Sequence, residues 1–154
     1  MSFSVSIPGD PRGKGSVRVY NGRAMKDKKT SDYMALCTLA MRDARGGASP
    51  ITEPTVVKIV AYLDRPKALI PKEKSRVPQP PVGAFYAPAK PDLDNCAKAL
   101  LDSLTQAGVL ADDCRVVELS MTKLYAPVGE APRVDVRVDV APQYGAVAWG
   151  WWSK

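Results

Sequence analysis

Residues Lys90 to Met121 read KPDLDNCAKALLDSLTQAGVLADDCRVVELSM. Cys96, Leu100, Leu104 and Ala107 recur at helical spacing, and Gly108 closes the run, which predicts a helix over roughly Asp94 to Ala107. The segment RVVELSMTKLYA that follows reads as a strand. Five aspartates, Asp92, Asp94, Asp102, Asp112 and Asp113, fall inside this otherwise core-like unit. They do so in a chain whose net charge is +6.

Outward from this unit the pattern stays that of one domain. Upstream, SFSVSI alternates Phe3, Val5 and Ile7 with serines, as a half-buried strand does. VRVYNGRAM predicts a hairpin turning at Asn21-Gly22. A helix follows, capped by Thr30 or Ser31, with Tyr33, Leu36, Cys37, Ala40, Met41 and Ala44 on one face and Gly46-Gly47 at its end. TVVKIVAYL reads as a buried strand, and RVDVRVDV as a strand with Val134, Val136, Val138 and Val140 inward. Residues 64–91 hold seven of the 14 prolines among lysines and arginines, a loop that either orders on a ligand or is only a connection. The order β, ββ, α, β, α, β, β predicts an α+β fold, a mixed sheet with two main helices on one face. The expected organisation is a single domain over residues 1–142 and a tail over 143–154. The tail's Trp149, Trp151 and Trp152 either pack back on the core or form an interface patch.

Composition removes several chemistries. The 154 residues contain no histidine, so a histidine base and a histidine-bound zinc are excluded. Three scattered cysteines, Cys37, Cys96 and Cys114, show neither CxxC spacing nor disulfide density, which predicts a reducing cytoplasm. The opening MSFSVSIPGD lacks the regions of a secretory signal, and no apolar run reaches the roughly 18 residues of a membrane span. Residues 11–30 carry seven basic side chains against Asp27, and residues 65–90 carry six against Glu73. Residues 91–120 reverse this, with six acids against Lys98 and Arg115. Basic segments suit a polyanion such as nucleic acid, and an acidic island would repel it unless a cation stood between.

Asp92 and Asp94 stand where an extended approach becomes a helix, and i, i+2 side chains leave an extended backbone on the same face. Asp94 or Asn95 can cap the helix. If the next strand pairs beside this segment, one of Asp112 and Asp113 reaches the same place. Unit charges ~4 Å apart repel by roughly 4 kcal/mol at an effective dielectric of ~20. A dication removes that cost, and oxygen-only ligands indicate Mg2+, with Mn2+ as a substitute, over zinc. Lys98, four residues after Asp94, would supply a fixed positive charge for the reaction. The plainer alternatives are a DxD that merely caps, an Asp-Asp that merely turns, and an Asp94–Lys98 surface pair. An EF-hand fits poorly, since its glycine and closing glutamate are missing.

These residues resemble the RusA family of Holliday-junction resolvases of bacteria, prophages and phages. Lys90, Pro91, Asp92, Asp94, Asn95 and Lys98 match the family's Lys-Pro-Asp-x-Asp-Asn-Leu-x-Lys block. Gly108, Val109, Asp112 and Asp113 match its Gly-Val-x-x-Asp-Asp block. Gly9, Pro11, Lys14, Gly15 and Arg18 match its opening. Cys96 replaces a leucine, and Ser16-Val17 replaces a more basic pair. The resemblance implies a homodimeric, Mg2+-dependent endonuclease that resolves four-way junctions and other branched DNA by paired nicks in recombination and repair. It would work in the cytoplasm of a bacterial cell and be of bacterial, prophage or phage origin. By the same resemblance Asp92, Asp94 and Asp113 hold the metal and Lys98 is required, with Asp112 outside the metal set. Lys14, Arg18, Arg23, Lys26, Lys28, Lys29 and Lys90 are the candidate phosphate contacts, which position DNA without reading sequence. The alternatives are a nuclease preferring flaps, D-loops or forks, and a non-catalytic binder of branched DNA.

Overall fold

The computed structural model describes residues 2–14, 18–20, 23–25 and 28–142. Seven strands are β1 Ser2–Pro8, β2 Arg18–Tyr20, β3 Arg23–Met25, β4 Thr55–Leu63, β5 Phe85–Tyr86, β6 Val116–Tyr125 and β7 Arg133–Val140. Two helices are α1 Lys28–Arg45 and α2 Leu93–Gln106. Five strands form one sheet in the order β1-β7-β4-β6-β5, and β2 pairs with β3 apart from it. β4 and β6 run parallel while the other neighbours run antiparallel, so the sheet is mixed. This is the expected α+β architecture. The hairpin is present too, with Tyr20 opposite Arg23, although Asn21-Gly22 lies outside the described residues.

The period-two pattern decides which face the helices cover. Val134, Val136 and Val138 are buried on β7, as are Thr55, Val57, Ile59, Ala61 and Leu63 on β4. Ile7 joins them from β1, with Phe3 and Val5 packed at the margin. From the helices come Tyr33, Cys37 and Met41 of α1, and Leu100 and Leu104 of α2. Cys96 and Ala107 are also buried, so the apolar face predicted for α2 is the observed one.

Three local expectations need correcting. α1 starts at Lys28, before Thr30 and Ser31, and Leu36 is 41% exposed because the buried stripe is narrower than its apolar spacing suggests. α2 is entered through Asp92, with extended ψ of 143°, so neither Asp94 nor Asn95 is its cap. Asp92 itself makes no side-chain capping bond. Residues 64–91, expected as a loop throughout, contain a 3-10 turn at Lys67–Leu69 and the short edge strand β5.

Because β4 and β6 are parallel and α2 connects them, the first turn of α2 returns to the end of the sheet where β4 finishes. β1 reaches that end as well, since it is antiparallel to β7 and β7 is antiparallel to β4. The carboxyl ends of three strands thus converge with the amino end of a helix, the usual place for a site in an open sheet.

Candidate functional site

Two side chains fix the rim at this end. Lys123 sits on β6 in phase with the inward Met121 and Tyr125, and opposite the inward Ala61 of β4. Its ammonium donates to the carbonyls of Ala89 at 2.5 Å and Pro91 at 2.7 Å. This ties the approach KPD to the sheet just before Asp92. A lysine at an inward position of a strand was the legible signal for it, and sequence reasoning passed over it. On the other flank, the N–H of Lys14 donates to the carbonyl of Asn95 at 3.0 Å. Gly13 permits that approach: a Cβ there would stand 2.8 Å from the Asn95 Cβ.

The first turn of α2 presents its acids to solvent. Asp92 and Asp94 are both exposed, as is Lys98 one turn on. Among the described residues neither Asp92, Asp94 nor Lys98 forms an ion pair, so the alternative of an Asp94–Lys98 surface bridge is not realised. Both carboxylates are felt by the buried Cys96 thiol. Burial pushes that thiol up to about 11, the nearby Lys123 ammonium works against the rise, and Asp92 and Asp94 add to it. A thiol so raised is not a nucleophile near neutral pH.

The Asp112-Asp113 pair is elsewhere. Asp112 caps a 3-10 turn at Asp113–Arg115, and its carboxylate accepts the Cys114 N–H at 2.8 Å. Hydrogen bonding from the Cys114 thiol, and then from its N–H, holds the Asp112 carboxyl below the usual range. Asp112 is therefore the turn residue of the pair, and Asp113 is exposed beside it. The turn leads directly into the start of β6, whereas Lys123, which holds Pro91, lies near its end. Seven residue steps of strand separate Val116 from Lys123, roughly 20 Å at the rise of a β-strand. Within one chain Asp113 is thus far from Asp92 and Asp94. Among the described residues no three acidic or cysteine side chains form a group able to hold a metal ion.

A cleft of about 360 Å3 opens at the rim between Asp10, Arg12, Thr30, Leu63, Lys90 and Pro91. It places Lys90 beside Arg12, a cation of the basic segment 11–30 that was not singled out. The remaining candidates divide. Lys14 is taken up by Asp102, with Nζ to Oδ2 of 2.5 Å. Lys28 and Lys29 are exposed in the first turn of α1. Arg18 and Arg23 belong to β2 and β3. Lys26 and the tail with Trp149, Trp151 and Trp152 lie outside the described residues. Among the described residues no helix is long and apolar enough to cross a membrane.

The family model "Endodeoxyribonuclease RusA" matches residues 8–139, from the end of β1 to the end of β7. The chain is also 29% identical over 138 residues to "Uncharacterized protein YqaN" of Bacillus subtilis (strain 168), covering 86% of this chain and 92% of that protein. The matched region contains the rim, the acidic first turn of α2 and the Asp112-Asp113 turn.

Proposed function

Because the chain belongs to the RusA endodeoxyribonuclease family, we propose that it cuts branched DNA, four-way junctions above all, by divalent-metal-dependent hydrolysis in a homodimer. The observation that carries the reading is the pair of exposed carboxylates at the first turn of α2, unpaired among the described residues, with Lys98 one turn on and a cleft lined by Arg12 and Lys90 that ends at Pro91 just before Asp92. Acid and base stand side by side there without neutralising one another, as a site for a phosphodiester and a cation requires.

Asp92, Asp94 and Asp113 would hold the metal, with Asp113 supplied by a second copy, a reading that the separation along β6 supports. β5 pairs with β6 only at Leu124 and Tyr125, and the Ala87 N–H donates to the Lys123 carbonyl at 3.1 Å, so the edge from Val116 to Thr122 has no strand partner among the described residues. Val117 and Leu119 are 63% and 43% exposed on it. An open strand edge with exposed apolar side chains is a template for another chain. Antiparallel pairing of two such edges about a two-fold axis near Leu119 would carry Asp113 of the second copy to the Lys123 end. All three ligands are hard oxygens, which suits Mg2+ or Mn2+. When bound, such an ion polarises the phosphate and lowers the pKa of a coordinated water.

The chain's own residues supply the rest. Lys98 offers a fixed positive charge one turn behind Asp94 for the developing oxyanion. Lys90 and Arg12 hold the neighbouring phosphates in the cleft, and the Lys123 ammonium keeps the Ala89–Pro91 backbone in place beneath the acids. Two such sites related by a two-fold axis suit paired incisions in a symmetric junction.

The test uses synthetic four-way, three-way, flap and linear DNA with and without Mg2+. Nicking of the four-way junction is expected only with metal, and Asp92→Asn should abolish it while junction binding persists. Loss of binding together with cutting would make Asp92 a structural residue. Mixing Asp92→Asn with Asp113→Asn chains should restore cutting, since one of the two shared sites in each mixed dimer is then whole. No restoration would place all three acids in one chain.

A further inference from the structure

Residues 64–91 leave the sheet at the end of β4 and return to it just before Asp92. Their backbone is organised around two side chains. Arg65 is 8% exposed, and its guanidinium donates to five carbonyls. These are Ala126 at 2.9 Å, Pro81 and Gly83 at 2.5 Å, Val82 at 3.4 Å and Leu69 at 3.5 Å. The same group lies 4.9 Å from the centre of the Phe85 ring. A planar cation with five N–H donors suits such a hub, because one side chain can gather carbonyls from distant parts of a loop. Gln79 does the same further out. Its Oε1 accepts the Lys72 N–H at 2.9 Å, and its Nε2 donates to Ser75 Oγ at 2.5 Å and to the Val77 carbonyl at 2.9 Å.

The segment between these hubs carries Lys67, Lys72, Lys74 and Arg76, all exposed, with Glu73 as its acid. Among the described residues none of the four cations is ion-paired. A loop that existed only to connect β4 to α2 would need neither a buried arginine nor a row of unpaired cations. We infer that residues 64–91 form a pre-folded cationic arm that grips the phosphate backbone of a duplex leading away from the cut site, with Arg65 as its positioning residue. The inference rests on the proposed function and adds the surface that holds DNA outside the site. Because the arm is already folded, little ordering entropy is lost when it binds. Its contacts, being phosphate contacts, are independent of sequence and sensitive to salt.

The test is the affinity for a four-way junction, without divalent metal, across 50–200 mM KCl. The triple variant Lys72→Ala, Lys74→Ala, Arg76→Ala should bind roughly ten- to a hundredfold more weakly at low salt. Its log–log salt slope should be smaller by about 0.9 for each phosphate that the arm no longer neutralises. Removal of one charge on the outer sheet face, by Arg137→Ala, should leave the slope unchanged. An unaltered slope in the triple variant would overturn the arm and leave the nuclease reading standing. Failure of the wild type to nick any branched DNA would overturn that reading and leave the slope comparison to judge the arm. For Arg65, trypsin gives the readout. The wild-type arm should resist cleavage after Lys72, Lys74 and Arg76, and Arg65→Met should be cut there while β4, β6 and β7 stay intact. Equal resistance of the two proteins would remove Arg65 from its role.

Discussion

The outer face of the sheet and the rim at the end of β4 both bristle with charge, yet they treat it in opposite ways. On the outer face, Arg137 meets Asp139 at 2.7 Å. Arg133 meets Glu130 at 2.6 Å and Asp135 at 3.4 Å, and stacks over the Tyr62 ring at 4.1 Å. Asp135 also accepts from Ser6 on the neighbouring strand at 2.6 Å. The repeat Arg-Val-Asp-Val puts opposite charges two residues apart, hence on one face, where they neutralise each other. At the rim, Asp92, Asp94, Lys90, Lys98 and Arg12 stay unpaired among the described residues. The two regions show that charge count says little about function, whereas the absence of a local partner says a good deal.

The largest effect that could break this contrast is at Lys98. Lys98→Ala should lower nicking by roughly 10²–10³-fold, the scale of losing one charge that stabilises a transition state, with junction affinity little changed. Single-turnover rates measure this, and an equal fall in affinity would make Lys98 a binding residue. Next in size is Gly13→Ala. Its new methyl would push the loop off Asn95 and should cost about 1–3 kcal/mol in urea unfolding. An unchanged midpoint would mean that the loop does not need its seat on α2. The smallest effect is on the outer face. A double-mutant cycle on Arg137 and Asp139 should return a coupling of only about 0.2–1 kcal/mol, lost at high salt, with no change in cutting. A variant there that altered cutting would erase the distinction between the two regions.

Much of the fold was legible because burial follows simple periods. The alternation in β1 and β7 and the helical spacing in α2 each named their buried side chains correctly. The start of α1 was not, since the capping signal of Thr30 and Ser31 falls inside the first turn of the helix. β5 was invisible: two residues carry no period, and Phe85-Tyr86 becomes a strand only by lying against β6. The acids at the first turn of α2 were readable as a unit. The reach of Asp113 was not, because the expectation placed strand pairing before direction. β6 does run beside the segment that leads to Asp92, but its start and its end lie far apart, and only its far end meets Pro91. Arg65 was unreadable for a related reason. Its five carbonyls belong to residues 4 to 61 positions away, and no local pattern announces such a hub.

β7 is the last strand in chain order among the described residues, yet it lies between β1 and β4. Among the described residues the first strand has no other neighbour in the sheet, so during synthesis its backbone groups wait for residues Arg133–Val140 to appear. Every pairing that closes the sheet is consequently distant in sequence, a topology that folds slowly. A growing chain on the ribosome therefore exposes its acidic turn and its cationic arm long before the platform beneath them exists. A fragment ending before Arg133 would carry the whole motif and have nothing to mount it on.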